Sequence, residues 1–445
     1  MSFLRTTRLF VFIFAMIPFA ADCVTAADNI EIKLTCRKKT LPQSREYQTG
    51  FVPAFKTAAP QGNWTLPDFK NRKPLFALIR LGDGERLLIL DRAPENDAEM
   101  NDILSGFVDK LPDNAAFFNR LYFDANGNGN LTDDPVISAR PVPASWGDGY
   151  TVTFESIEVS VPVKGVSLPN CFQLTVSTRM KCAPSTGTDA LAKNLQSRFM
   201  PACYYEGKGE ISGKKYCIAL MDGNCNGIFY DSSSGDLLFL ADSPDYGSDG
   251  MRCLDTVVVG KKTYKAAFDA SSSQLVLSPP SQPLCKVKIP GDIHRLRLSF
   301  ADKPDSGVVM FNPAEEVSIP AGRYVMAFVM CVRKDKDGNQ WELTANSRTA
   351  LADEVQSDKT VVFSFGEPFA VTATVSPVDS KGNVRMSSAR MIGAGGEEVT
   401  KLVCVDQRQA GVPFSRREPA KSIAPSYRIF NSKQELVGRG KFEFG

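Results

Sequence analysis

The feature that most limits how this chain can fold is a ten-residue cadence that occurs twice. It reads Asp124-Ala-Asn-Gly-Asn-Gly-Asn-Leu-Thr-Asp133, and again Asp222-Gly-Asn-Cys-Asn-Gly-Ile-Phe-Tyr-Asp231. Both copies fit D-x-N-x-N-G-x-x-x-D. Asn and Asp side chains bond to nearby backbone in non-helical conformations, and Gly tolerates a left-handed backbone. Neither stretch can therefore lie inside a helix or a strand. The first sits between the apolar runs Leu121-Tyr122-Phe123 and Pro135-Val136-Ile137. The second follows Ile218-Ala-Leu220 and precedes Leu237-Leu-Phe-Leu240. Each is expected to be a loop flanked by strands.

The rest of the chain has the rhythm of β structure. Pro74–Leu81, the turn Gly82-Asp-Gly84 and Glu85–Leu90 read as a hairpin. Tyr150–Phe154, Ile157–Val163 and Phe172–Ser177 alternate apolar and polar residues, as antiparallel strands with one wet face do. Cys203–Leu220 reads as strand, Gly turn, strand, and runs straight into the second loop. The spacing of Met100, Ile103, Leu104 and Phe107 predicts one short helix over 98–110. The order of elements around the loops suggests a weak internal duplication.

With 445 residues the chain is too long for one ordinary core. The fold class expected is mainly β: two loop-bearing antiparallel units followed by one or two Ig-like sandwiches. The expected boundaries are 28–180, 181–277, a Pro-rich linker at 278–284, then 285–366 and 367–445. Lys and Arg total 52 against 50 Asp and Glu, a net charge of +2. That balance supplies no general basic field for nucleic acid.

Arg5 and Arg8 precede the apolar run Leu9–Ala20, and small residues follow at Val24–Ala27. Residues 1–27 thus read as a secretory signal peptide, which places the mature chain outside the cytoplasm, either secreted or periplasmic and at the cell surface. No later run is long and apolar enough for a transmembrane helix. Ten of the 11 cysteines follow that segment, an even number that suggests disulfides in an exported protein. Cys203 and Cys217 are candidates for pairing across a hairpin. Buried free thiols are the alternative.

Oxygen atoms at loop positions 1, 3, 5, 7 and 10 suit a hard cation. Calcium takes six to eight oxygens at about 2.3–2.6 Å, from carboxylates, amides, backbone carbonyls and water. In the first loop the candidate ligands are Asp124, Asn126, Asn128, the carbonyl of Asn130 and Asp133, with Asp134 as a further acid. In the second they are Asp222, Asn224, Asn226, the carbonyl of Ile228 and Asp231. A metal-free Asx-bonded turn would use the same letters, but it requires no trailing Asp. Asp335-Lys-Asp-Gly-Asn339 has no closing acid and reads as a plain turn.

These loops resemble the calcium loops of the EF-hand and dockerin families over about ten residues each. Position 12, where the EF-hand carries a bidentate Glu, is Pro135 or Ser233 here, and the closing acid comes at position 10. In this they are similar to the shortened loop of the excalibur type of extracellular calcium-binding repeat. The resemblance implies Ca2+ as a structural ion. The low carboxylate count implies weak binding, on the order of 10⁻⁴–10⁻³ M, with magnesium ranked second.

No nucleophile elbow, Walker loop or Rossmann fingerprint is present, and His294 is the single histidine. The function expected is that of an exported, non-enzymatic calcium-binding protein with a structural, adhesive or surface-interaction role. Its partner would be a cell-surface protein or glycan. The alternative is an extracellular hydrolase or glycan-binding protein with sandwich accessory domains. Trp64, Trp146 and Trp341 are the candidate aromatic platforms for a glycan.

Overall fold

A computed structural model describes residues 29–38, 49–69, 74–92, 118–144, 149–179, 195–231, 235–244, 246, 250–334, 338–347, 353–357, 359–366, 368–375, 386–405, 426–430 and 433–441. The expected signal segment, the helix expected at 98–110 and Trp146 lie outside these residues. Among the described residues the fold is all-β. No helix among them is long and apolar enough to cross a membrane.

One sheet of twelve strands forms the spine. Its centre is Thr256–Val259, Gly307–Phe311, Ile293–Phe300 and Gly322–Lys334. Thr256–Val259 pairs in parallel with Gly307–Phe311, so the sheet joins residues on both sides of 278–284. Thr256–Val259 and Gly307–Phe311 are buried along their whole length because both faces are covered. Val257, Val259, Val309 and Phe311 feed one core. Val258, Val308 and Met310 feed a second core on the opposite face, beneath the sheet of Glu316–Pro320, Leu284–Lys288 and Val361–Val362. The two-residue side-chain period of a strand accounts for this split.

Three smaller sheets converge on the first core, and two of them carry the loops. Leu75–Leu81, Gly84–Asp91, Arg120–Phe123 and Ile137–Ser138 form a four-stranded sheet, and the expected hairpin is its first pair. Gln196–Pro201, Val166–Arg179, Gly149–Thr153 and Pro141–Pro143 form another, with Ile157–Val163 paired to Val166–Arg179. The third holds Met251–Arg252, Leu237–Ala241, Lys214–Met221, Tyr204–Ile211 and Thr35–Arg37. All three contribute to one core through Leu88, Phe123, Val161, Phe172, Phe199, Tyr205 and Leu220.

The nine described cysteines are free thiols. A Cys203–Cys217 pair is ruled out by hairpin register. Ser212 and Gly213, both at positive φ, make the two-residue turn between Ile211 and Lys214. That turn sets Cys217 opposite Lys208, five residues from Cys203. Cys217 packs with Tyr204 and Phe239, whereas Cys203 packs with Cys171 and Cys36.

Candidate metal centre

Each loop joins two neighbouring antiparallel strands. The first spans from Arg120–Phe123 to Ile137–Ser138, and the second from Lys214–Met221 to Leu237–Ala241. In both, the first Asp follows the strand directly and its side chain is buried, Asp124 at 1% exposure and Asp222 at 0%.

The two loops close by the same hydrogen bonds. The first Asp accepts from the sixth-position Gly: Gly129 N–H donates to Asp124 Oδ1 at 3.4 Å, and Gly227 N–H to Asp222 Oδ2 at 2.7 Å. The third-position amide oxygen accepts from the fifth-position N–H, Asn128 to Asn126 at 2.9 Å and Asn226 to Asn224 at 2.7 Å. The fifth-position oxygen accepts from the seventh-position N–H, Asn130 to Asn128 at 2.7 Å and Ile228 to Asn226 at 2.8 Å. The fifth-position amide nitrogen donates to the closing Asp, Asn128 to Asp133 at 2.8 Å and Asn226 to Asp231 at 2.6 Å. Gly129 and Gly227 share φ values of +78° and +80°, a left-handed conformation that favours Gly.

Side chains from positions 1, 3, 5 and 10 are thus drawn into one small volume in each copy. Asn130 and Ile228 enter through their main chain, each peptide held by the residue two before it. Each amide oxygen uses one lone pair on a backbone N–H and keeps a second, since a carbonyl carries two.

Every loop also gathers a third carboxylate. In the first it is Asp134, whose carboxyl is raised by burial and by the neighbouring charge of Asp124, with Asp133 contributing further. Asp124 Oδ2 and Asp134 Oδ2 are buried without a hydrogen-bond partner. An unsatisfied buried charged oxygen costs more than about 1–3 kcal/mol, and a cation would remove that cost. In the second loop the third acid is Asp236, at 0% exposure. It accepts from Gly223 N–H at 3.0 Å and Asp231 N–H at 3.0 Å, stapling the loop's start to its end. Burial holds its carboxyl well above the usual range, and the charges of Asp222 and Asp231 push it further. Asp222 is pushed up to about 7 by burial, against the lowering effect of the Gly227 and Asn226 N–H donors.

No three His, Cys, Asp or Glu side chains among the described residues are placed to hold an ion by themselves. A cation held here would need amide, backbone or water oxygens to complete its shell, as a calcium shell commonly does.

Three residues not read from the sequence shape these loops. Asp236 stands at the head of Leu237-Leu-Phe-Leu240, and an acid leading an apolar strand was the available signal. Asn170, buried at 3% exposure, donates to Asp222 Oδ2 at 3.4 Å. The Arg86 guanidinium occupies the space a Cβ on Gly127 would need, at 2.3–2.5 Å. Neither of the last two has a sequence signal, because Arg86 arrives from the neighbouring strand of the same sheet and Asn170 from a different sheet, both far from the loop in the chain.

Trp64 packs partly buried beside the first loop, and Thr65 N–H donates to Gly129 O at 2.9 Å. His294 is exposed near the start of Ile293–Phe300. A cleft of about 650 Å³ is lined by Phe300, Asp302, Lys303, Ser306 and Arg323. It presents one carboxylate, not the facing pair that glycoside hydrolysis uses. No protein-family model, curated protein or solved structure matches this chain.

Proposed function

We propose that this chain is an exported, non-enzymatic β protein in which two loops bind calcium as a structural ion. The observation that carries the reading is the recurrence of one hydrogen-bond scheme at 124–133 and 222–231, each enclosing a carboxylate-rich volume. A plain Asx turn would account for the amide-to-backbone bonds. It would not account for a buried first Asp, a closing Asp and a third acid in both copies.

The ion pins the two strands flanking each loop, and its role is to hold the three small sheets against the common core. The strands beyond residue 285 serve contact with a surface partner, protein or glycan, on the analogy that fold and exported setting offer.

Differential scanning calorimetry of the mature protein, in EDTA and in 10 mM calcium, tests the reading. With binding on the order of 10⁻⁴–10⁻³ M, each site adds about 1–3 kcal/mol at that concentration. An unchanged melting temperature would refute calcium binding. An equal response to magnesium would refute calcium as the specific ion.

A further inference from the structure

Near the second loop lies a cluster of sulfur atoms that the calcium reading does not use. Cys171 and Cys203 are buried at 1% and 2% exposure, and Cys36 packs against them half-buried. Cys36 lies on Thr35–Arg37, a three-residue strand at the edge of its sheet, paired with Tyr204–Ile211. Tyr205 stands opposite Cys36, so Cys203, two residues earlier, shares that face and is a diagonal neighbour. Cys36 thus packs against the cluster that holds Cys203. The Cys203 thiol donates to Asn170 Oδ1 at 3.1 Å.

We propose that Cys36 and Cys203 form a redox-active dithiol, which closes to a disulfide by exchange with a disulfide-bearing donor and staples the edge strand to its sheet. The roles divide by access. Cys36 is reachable from solvent and initiates. Its thiol is lowered by the neighbouring Cys203 thiol, with the Lys38 charge assisting against burial. The Cys203 thiol is raised by the neighbouring Cys36 and by burial, which suits a resolving sulfur. Cys171 also has a raised thiol, chiefly from burial.

The Cys36 thiolate attacks one sulfur of the donor disulfide, forming a mixed disulfide and expelling one donor thiolate. Cys203 then loses its proton and attacks the Cys36 sulfur. The Cys36–Cys203 bond forms as the bond to the donor breaks, and the second donor thiolate leaves. The two cysteine sulfurs lose two electrons, the donor disulfide gains them, and both protons end on the donor thiols. The sulfurs must close from packing contact to about 2.05 Å. A three-residue edge strand with one hydrogen-bonded neighbour can make that shift at little cost to the rest of the sheet.

The test uses full-length mature protein reduced with a phosphine, then treated with oxidised glutathione. Remaining thiols are alkylated, and peptides are mapped by mass spectrometry without reduction. The expected result is a linked peptide pair holding Cys36 and Cys203, with both residues lost from the alkylated set. The pair should persist in Cys171→Ser and vanish in Cys36→Ser, a half-buried and mild change. In Cys203→Ser, where the hydroxyl can keep the bond to Asn170, Cys36 should instead accumulate as a glutathione adduct. A wild-type link from Cys36 to Cys171, or a Cys36 that stays fully alkylatable with no linked peptide, would overturn the proposal. So would a Cys203→Ser protein in which Cys36 still enters an internal disulfide.

Discussion

Metal-free protein should become less stable as pH rises from 5 to 8, opposite to the usual behaviour of a carboxylate. Asp222 is fully buried, and burial lifts its carboxyl from 3.8 to about 7. The folded chain thus holds this proton more tightly than the unfolded chain does. The stability it contributes is complete below pH 3.8 and lost as pH climbs through 7. A shift of about three units at about 1.4 kcal/mol each amounts to roughly 4 kcal/mol in all. About 3 kcal/mol of this falls between pH 5 and pH 8, which for a cooperative chain of 445 residues is roughly 3 °C in melting temperature. Asp236, raised in the same direction, adds to the trend. With one histidine in the chain, few other groups titrate in this window. Calcium competes only with the ionised acid, so its stabilising shift should be larger at pH 8 than at pH 5. Calorimetry at both pH values, in EDTA and in calcium, reads all four states. Stability that is flat or rising with pH in EDTA, or an equal calcium shift at both pH values, would refute this reasoning.

Three further outcomes are expected. Asp133→Asn and Asp231→Asn each remove one closing carboxylate, so each should take away about half of the calcium-induced shift in melting temperature, and the double variant all of it. Gly129→Ala should cost about 1–2 kcal/mol from its left-handed backbone. Gly227→Ala should cost more in urea unfolding, because a Cβ there would also meet Val161 at 2.5 Å. Asn170→Ala should cost about 1–3 kcal/mol, since it strands the Cys203 thiol and withdraws a donor from Asp222.

Much of the local structure was legible in the letters. The strands around both loops, the Leu75–Leu81 and Gly84–Asp91 hairpin, and the alternating strands between 149 and 179 form where apolar period and turn residues placed them. These are short-range decisions. Positive-φ Gly at the sixth position and Asn bonding two residues onward need no distant partner, so Asp124–Asp133 and Asp222–Asp231 carry their own closure. The cysteines show where local reading fails. Cys203 and Cys217 are close in sequence, yet strand register separates them and sets Cys203 beside Cys36, which lies 167 positions away in the chain and was brought there by an edge strand.

The tertiary structure alone decided what surrounds each loop. Asp236 and Asn170 reach the second loop and Arg86 and Trp64 the first, and burial in the second loop raises Asp222 to about 7. Sequence determined that two oxygen-rich turns would exist and how each would bend, because those forces act over a few bonds. Packing determined how dry they are and how their charges interact, because desolvation and Coulomb repulsion depend on which distant residues share the space.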